Sequence, residues 1–277
     1  MLLLDGQPAD DNLLLADRGL AYGDGLFETV AVRDGRLLAW DAHLERLARG
    51  CDVLGLPAPS TRLLTTEAES IAHGVSRGVL KLTLTRGSGG RGYRPPTPPT
   101  PRRILALNPW PADLPDDLST PVATFICRHP LGIAPALAGI KHLNRLDQVL
   151  ASAEWPDPEF FEGLMLDLEG NLIEGTRSNV FLLKGDRLAT PDLTWCGVAG
   201  VVRGAVLRTA RELGLRVAEQ RLEPAALGAA DEVFITNSVI GLRSVGRVVG
   251  DDSEIEFGAG ALCQELAITL RAADVIP

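Results

Sequence analysis

Lysine is scarce in this chain, and its scarcity singles out the residues capable of amine chemistry. Of the 27 basic residues, three are lysines: Lys81, Lys141 and Lys184. Arginine replaces lysine nearly everywhere else, which we attribute to codon usage, so the retained lysines are candidates for a role that needs an amine. An ε-amine can attack a carbonyl carbon and form a covalent bond with it, whereas a guanidinium cannot.

The sequence around each lysine separates the three. Lys184 lies in Leu-Leu-Lys-Gly-Asp-Arg, which is typical of a solvated hairpin turn between apolar strands. Lys81 alternates with threonines along a strand, where a surface lysine is the favoured interpretation, although that face could also line a cleft. Lys141 follows a small, flexible run and is expected to begin an apolar helix over 141–153. Burial and the helix dipole would then favour its neutral amine. On spacing alone, a lysine that starts a surface helix is the simpler interpretation.

Two domains of mixed α/β (α+β) character are predicted to position these residues. Short strands and turns dominate the first third, and a strand meander occupies 163–189 in the second half. Helices are predicted at 41–54, 60–76, 200–213 and 258–271. We therefore predict an N-terminal domain at 1–110, an interdomain linker at 111–120 and a C-terminal domain at 121–277.

Composition limits the classes of partner. The chain has 277 residues, 45% hydrophobic and 23% charged, with a net charge of −9, which is a normal globular balance. An acidic protein lacks the basic field that a nucleic acid or an anionic membrane requires. No signal peptide and no membrane span are predicted. The four scattered cysteines indicate reduced thiols rather than a metal site, so a cytoplasmic protein without bound metal is expected.

The segment Gly-Ile-Lys-His-Leu-Asn-Arg-Leu-Asp-Gln at 139–148 resembles the lysine segment of the 4-amino-4-deoxychorismate lyases. These lyases are a branch of the class IV aminotransferase-like enzymes, which have fold type IV and use pyridoxal 5′-phosphate (PLP). Four further segments resemble motifs of that family, in the same order along the chain: 16–29, 43–47, 174–181 and 197–203. The glycine-rich segment 86–93, and His142 directly after the lysine, resemble the lyase branch in particular.

The resemblance implies a role for each matching residue in holding PLP. Lys141 would carry the cofactor as a Schiff base and act as the acid and base. Glu174 would pair with the pyridine nitrogen and keep it protonated, which drains electrons from the reacting carbon. Arg46 would supply charge to the phosphate. Without the motifs, Glu174 is an exposed acid at a strand end and Arg46 is one basic residue on an amphipathic helix.

The resemblance also places the phosphate at a helix N-terminus. Val201 and Val202 are expected to donate backbone N–H groups there, and Val198 is expected to pack on the ring face. Related transaminases often have threonine at the position of Val202, and valine has no hydroxyl group for the corresponding contact. Ser238 aligns with another phosphate hydroxyl, and a polar turn residue is an equally good interpretation.

Three residues favour the lyase branch over transaminases. Transaminases of the family typically carry Gly or Val where Thr29 stands, whereas the lyases carry Thr near the cofactor hydroxyl and Lys141. Arg91 and Tyr93 lie in the glycine-rich segment and are the substrate-side candidates, because Arg91 could pair with a carboxylate. The alternative for this segment is a mobile loop tip.

The implied reaction converts 4-amino-4-deoxychorismate to 4-aminobenzoate and pyruvate, in folate biosynthesis, by a homodimeric enzyme. The main alternative is a D-amino acid or branched-chain aminotransferase on the same scaffold. A PLP-binding carrier or regulatory protein without catalytic activity is the alternative from another class.

Overall fold

The chain divides into two compact units. The computed structural model describes residues 1–9, 15–112, 114, 120–155, 159–251, 253–258 and 260–277. The first unit comprises Met1–Ala112, Ile140–Asn144 and Pro277, and the second comprises Asp113–Gly139 and Arg145–Ile276. The sequence analysis assigned all of 121–277 to one domain, so the structure differs in placing Ile140–Asn144 with the first unit. Of the predicted linker 111–120, residues 113 and 115–119 lie outside the described residues.

The first unit is built on a six-stranded antiparallel sheet with the order β2-β1-β6-β5-β3-β4. Its strands are β1 (Leu2–Leu4), β2 (Gln7–Pro8), β3 (Gly25–Arg33), β4 (Arg36–Leu37), β5 (Arg77–Thr85) and β6 (Arg102–Pro109). Its helices are α1 (Arg18–Tyr22), α2 (Trp40–Leu54) and α3 (Thr61–Ala72).

Strands β3 and β5 are paired over nine residues and give this sheet two different faces. Alternate residues of a strand point to opposite faces. On one face, Leu26, Val30 and Leu82 are fully buried, and helix α2 approaches so closely that a Cβ on Gly50 would lie 2.8 Å from the Leu26 side chain. The other face carries Phe27 and Thr29 and is only partly covered.

The second unit contains a nine-stranded mixed sheet with the order β12-β11-β10-β13-β14-β7-β8-β9, and β15 pairs with β14. Its strands are β7 (Val122–Ile126), β8 (Phe160–Leu166), β9 (Leu172–Gly175), β10 (Asn179–Lys184), β11 (Arg187–Pro191), β12 (Arg216–Gln220), β13 (Glu232–Asn237), β14 (Gly241–Val249) and β15 (Glu254–Glu256). Its helices are α4 (Leu146–Ser152), α5 (Val201–Glu212), α6 (Ala225–Ala229) and α7 (Ala261–Ala272).

Both faces of this larger sheet are covered. Phe181 and Phe234 stack with ring centroids 5.0 Å apart in a core shared with helices α5 and α7. Their strand neighbours Val180 and Ile235 point the other way, into a core that includes Leu227 of helix α6. A strand that is buried on both faces has a nearly continuous run of apolar residues in its sequence, and β10 and β13 have such runs. The predicted mixed α/β class is confirmed.

The predicted helix start at Lys141 is wrong. Helix α4 begins at Leu146, and Lys141 lies in a non-helical segment. The Phe27 amide donates to the Lys141 carbonyl at 2.9 Å, and the Leu143 amide donates to the Gly25 carbonyl at 3.0 Å. This segment therefore pairs with the start of β3, and that pairing uses backbone groups that a helix would need. Lys141 consequently does not lie at the N-terminus of a helix.

Within the described ranges, no helix has both the length and the hydrophobicity needed to span a bilayer. Among the same residues, no group of three or more His, Cys, Asp or Glu side chains is arranged to hold a metal ion. The four cysteines are buried thiols, and burial raises the pKa of Cys127 to about 12.

Candidate active site

The Lys141 amine lies against an aromatic ring in the first unit. Its Nζ is 4.4 Å from the centroid of the Phe27 ring, and its carbonyl binds the Phe27 amide. Main chain and side chain of the lysine are thus held by the same residue. The electron-rich ring face attracts an ammonium group, so the half-buried amine stays close to strand β3.

Thr29 shares the sheet face of Phe27, as does Lys81. On neighbouring strands, Phe27 pairs with Thr83 and Thr29 pairs with Lys81. The Lys81 Nζ lies 5.4 Å from the Phe27 ring centroid, while the side chain as a whole is exposed. Lys81 is therefore a solvent-accessible lysine, as the sequence favoured, but its amine contacts the same ring as Lys141. Lys184, which lies at the turn between β10 and β11, forms a surface ion pair with Asp231.

On the covered face, β3 contributes a buried carboxylate that binds two residues of helix α2. Glu28 accepts hydrogen bonds from Arg46 Nε, at 2.9 Å, and from Arg46 Nη2, and its Oε2 lies 2.7 Å from His43 Nδ1. His43 and Arg46 face the strand together because they are three residues apart on one helix. The sequence analysis quoted both within a motif but missed Glu28 as their partner.

Opposing effects set the protonation of this cluster. Burial alone raises the pKa of Glu28, but the Arg46 charge and the hydrogen bonds from Arg46 and His43 bring it down to about 2. Burial, the largest effect, lowers the pKa of His43, the hydrogen bond and charge of Glu28 raise it, and the charges of Arg46 and Lys141 lower it, so that the pKa is lowered overall. Glu28 is therefore ionised and His43 neutral at pH 7. Arg46 meets a carboxylate here, so its role toward a phosphate stays a prediction.

Arg91 and Tyr93 lie in an exposed turn after strand β5. Tyr93 is 86% exposed, and its ring contacts Tyr22 edge-on with centroids 5.5 Å apart. Gly87, Gly89, Gly90 and Gly92 all have positive φ, which explains the glycine content of this turn. The structure thus places both substrate-side candidates on the first unit.

In the second unit, Glu174 holds the backbone before helix α5. Its carboxylate is 4% exposed and accepts the Val198 N–H at 2.8 Å. The Asn179 side chain donates to the Val198 carbonyl at 2.9 Å. Gly139, two residues before Lys141, adds two backbone hydrogen bonds, from its amide to the Gly197 carbonyl and to its carbonyl from the Ala199 amide. The segment 197–199 is therefore fixed from three directions, and Asn179 is a contributor that the sequence analysis missed.

The N-terminus of helix α5 follows this segment directly. Its N-cap residue is Gly200, and no described side chain caps it. A first helical turn has backbone N–H groups without helical acceptors, and these favour an anion. Val201 and Val202 occupy that turn, and the Val202 side chain is in the core, so the expected contribution of its backbone rather than its side chain fits this structure.

Ser238 lies in a turn after β13 that is built by its neighbour. The Asn237 Oδ1 accepts the Val239 and Ile240 amides, both at 2.8 Å, and its Nδ2 donates to the Arg177 carbonyl at 2.9 Å. Ser238 is half-buried in that turn. Its phosphate contact stays a prediction.

These groups fit the chemistry of PLP, which has an aldehyde, a ring nitrogen and a dianionic phosphate. The first unit supplies an amine held against β3. The second supplies a buried carboxylate oriented by a backbone N–H, and a helix N-terminus that no described side chain caps. Each is the group that one of those features requires.

Comparisons with known proteins show the family to which this chain is similar. A family model described as amino-transferase class IV matches residues 25–248. An aminodeoxychorismate lyase from Vibrio harveyi is 35% identical over 96% of this chain and 98% of its own length. A putative branched-chain-amino-acid aminotransferase from Methanocaldococcus jannaschii is 30% identical over 87% of this chain and 86% of its own length.

A solved structure extends the similarity to the whole fold. The crystal structure of 4-amino-4-deoxychorismate lyase from Pseudomonas aeruginosa superposes with a TM-score of 0.91 and is 45% identical, covering 98% of each chain. The predicted α/β (α+β) fold of type IV is therefore shown for this chain.

Proposed function

The chain belongs to the class IV aminotransferase family, and on that premise we propose that it is a PLP-dependent lyase that forms 4-aminobenzoate and pyruvate from 4-amino-4-deoxychorismate. One observation carries this proposal. Two relatives that bear the lyase name match at least 96% of this chain, at 35% and 45% identity. The relative named as a putative aminotransferase matches less of the chain at lower identity.

PLP, when bound, supplies an electron sink for negative charge on the carbon next to the substrate nitrogen. Lys141 would attach the cofactor, Glu174 would hold its ring nitrogen, and Arg46 would meet its phosphate. The backbone N–H groups of Val201 and Val202 would complete the phosphate contacts. Ser238 is the further phosphate candidate, and Val198 is the residue expected at the ring face.

Lys141 is proposed to move the protons of the reaction. Its amine takes the proton from the substrate carbon that bears nitrogen. The same group, now an ammonium, donates a proton to the oxygen of the departing enolpyruvate, which then becomes pyruvate. The ring left behind is aromatic, and this makes the elimination strongly favourable. The contact with Phe27 supports this role, because the ring face attracts the ammonium form of the Lys141 side chain and holds it near strand β3.

Glu174 and Thr29 are proposed to tune this step. Because Glu174 is buried and bound by the Val198 N–H, its carboxylate has a fixed orientation toward its partner and needs no reorganisation. Thr29 shares the sheet face of Phe27, so its hydroxyl is on the side of β3 where Lys141 contacts that ring. A hydroxyl there would distinguish the lyase from transaminases with Gly or Val at this position.

The substrate carries two carboxylates, and Arg91 is the proposed partner of one of them, with Tyr93 beside it. A charge-assisted hydrogen bond of this kind contributes about 1.5–3 kcal/mol, or roughly ten- to a hundredfold in binding or rate. We further expect a homodimer that acts in the cytoplasm on a small molecule, without a nucleic acid or membrane partner. The family resemblance and the net charge of −9 support this.

The deciding experiment incubates the purified protein with PLP and 4-amino-4-deoxychorismate and measures 4-aminobenzoate and pyruvate, with and without a 2-oxo acid. Equal amounts of both products without the acid support the lyase. A strict requirement for the acid, with no 4-aminobenzoate, would replace the lyase with the aminotransferase alternative.

Borohydride reduction followed by peptide mapping tests the attachment point. We expect the reduced cofactor on Lys141, and matched Lys81→Ala and Lys184→Ala variants should be labelled like the parent. An adduct on Lys81 or Lys184, or a protein that takes up no PLP, would contradict the assignment.

A further inference from the structure

The turn that carries Arg91 and Tyr93 has a backbone that is inherently flexible. Glycine populates positive and negative φ about equally, and four glycines in this turn have positive φ. A Cβ on Gly87 would lie 1.9 Å from the Thr100 carbonyl oxygen and one on Gly90 2.8 Å from the Arg94 carbonyl oxygen, so the turn folds back closely on itself. A segment of this composition needs an external anchor to hold one conformation.

The Arg18 side chain contacts the C-terminal end of this turn, at Gly92 and Tyr93. Its Nη1 donates to the Gly92 carbonyl at 3.0 Å and its Nη2 donates to the Tyr93 carbonyl at 2.9 Å. The residue is 4% exposed although it opens a five-residue helix, α1. A buried guanidinium directed at two consecutive carbonyls fixes the position and orientation of that peptide unit.

Asp24 holds the Arg18 side chain from behind. Its carboxylate accepts Arg18 Nε at 2.8 Å and Arg86 Nε at 2.8 Å. Arg86 in turn donates to the Leu54 and Gly55 carbonyls at the end of helix α2, at 2.7 and 3.2 Å. Burial raises the pKa of Asp24, but hydrogen bonds and charge from the two arginines outweigh it and lower that pKa overall. The carboxylate is therefore ionised at pH 7 and links the turn to the body of the first unit.

Aromatic contacts complete the anchor. The Arg18 guanidinium lies 4.9 Å from the centroid of the Tyr22 ring, and that ring meets Tyr93. At the inner end, the Arg18 amide donates to the Gly87 carbonyl at 2.9 Å. Arg18 thus binds both ends of the turn, one through its backbone and the other through its side chain.

We propose that Arg18 is a positioning residue for the substrate: it holds residues 87–93 in the one conformation that presents Arg91 and Tyr93. The role toward substrate rests on the proposed function, whereas the anchoring of the turn does not. Arg18 acts on the turn itself, because its guanidinium donates to the Gly92 and Tyr93 carbonyls while Asp24 accepts its Nε.

The anchoring is tested without activity, by trypsin cleavage between Arg91 and Gly92. In the parent this bond is held at the Gly92 carbonyl, so cleavage is slow. Arg18→Gln, and Arg18→Lys as the conservative variant, should be cut there roughly tenfold faster or more, since two charge-assisted hydrogen bonds are lost. The control is Arg103→Gln, which breaks a comparable ion pair with Glu67 on helix α3 away from the turn. Mass spectrometry of the fragment 1–91 reports the rate, and parent-like rates in both Arg18 variants would overturn the anchoring.

The role toward substrate is tested by kinetics. Arg18→Lys should raise KM for 4-amino-4-deoxychorismate about tenfold while its cofactor absorbance stays that of the parent. Arg18→Gln should change the kinetics less in an Arg91→Ala background than in the parent, because the two residues then act through one contact. A residue that only stabilised the fold would lower the melting temperature and the active fraction, leave KM unchanged, and add fully to Arg91→Ala. That result would overturn the positioning role.

The two levels of failure are separable. A parent that makes no 4-aminobenzoate refutes the proposed function but leaves the trypsin comparison valid. An active parent whose Arg18 variants keep both KM and trypsin resistance refutes this inference alone.

Discussion

Two buried carboxylates in this protein should respond to pH in opposite directions, which can be tested with one substitution at each. Glu28 is paired with Arg46 and its pKa is lowered to about 2, whereas burial raises the pKa of Glu162 despite bonds from Thr176 and Ser178. Both are at most 1% exposed. Replacing each with glutamine keeps the shape and removes ionisation, so the two variants are matched.

The expected size of the Glu28 effect follows from its pKa. A fall from 4.5 to about 2 corresponds to roughly 3 kcal/mol of folding free energy. Because the folded pKa is the lower one, this stability is present above pH 4.5 and is lost as pH falls toward 2, leaving about 1–2 kcal/mol at pH 3. Glu28→Gln also leaves the Arg46 charge buried without its carboxylate, which costs about 3–5 kcal/mol at pH 7.

Glu162 has the opposite sign. Its folded pKa is above the unfolded value, so its contribution is present below the unfolded pKa and is lost as pH rises through the folded pKa. Glu162→Gln should therefore lower the free energy of unfolding by less than about 1 kcal/mol at pH 7. The stability difference between the parent and this variant should be smaller at pH 7 than at pH 3.

Hydrogen exchange resolves the two units and is the appropriate assay. The free energy of opening is measured at pH 7 and pH 3. The amides of β3 are compared between the parent and Glu28→Gln, and the amides of β8 between the parent and Glu162→Gln. The free energy of opening should be higher in the parent than in Glu28→Gln, and this difference should be smaller at pH 3 than at pH 7. Equal costs for the two substitutions at pH 7, or a Glu28 difference that grows at pH 3, would refute this reasoning.

Three further predictions concern the proposed activity. Glu174→Gln should keep PLP bound but lower kcat at least a hundredfold, measured by 4-aminobenzoate release, and comparable rates would place the ring nitrogen's partner elsewhere. Asn179→Ala should weaken PLP binding about tenfold by releasing the Val198 carbonyl, measured by titration of the cofactor absorbance, with unchanged affinity as the contrary result. Thr29→Gly should retain PLP but lose elimination relative to amine transfer, and an unaltered ratio of the two products would remove Thr29 from the mechanism.

The sequence predicted the elements of the fold better than their tertiary contacts. Helix α2 follows from the spacing of apolar residues, which is a local property of the sequence. The helix expected at Lys141 failed because β3, far away in the chain, competes for the same backbone groups. Local apolar spacing contains no information about such a partner.

The candidate site shows the same division. Scarcity of lysine limited the amine candidates to three residues, and the motifs that resemble the family pointed to Lys141 and Glu174. The roles of Glu28, Asn179 and Arg18 could not be found this way, because each acts on a residue brought close only by folding. A charged residue in a strand or helix is by itself typical of a solvated surface. Burial of these charges, visible only in three dimensions, is what distinguishes them.

The pairing of Lys141 with Phe27 also constrains the order of events during synthesis. These two residues are joined by a backbone hydrogen bond although more than a hundred residues separate them in the chain. Closing so long a loop is entropically costly and slow, so this pairing forms late. A ribosome that has released only Met1–Ala112 has made nearly all of the first unit, but not the segment Ile140–Asn144 that completes it. A nascent chain therefore acquires the pairing of Lys141 with Phe27 only after translation has passed well into the second unit, and the proposed attachment of PLP to that lysine would follow this step.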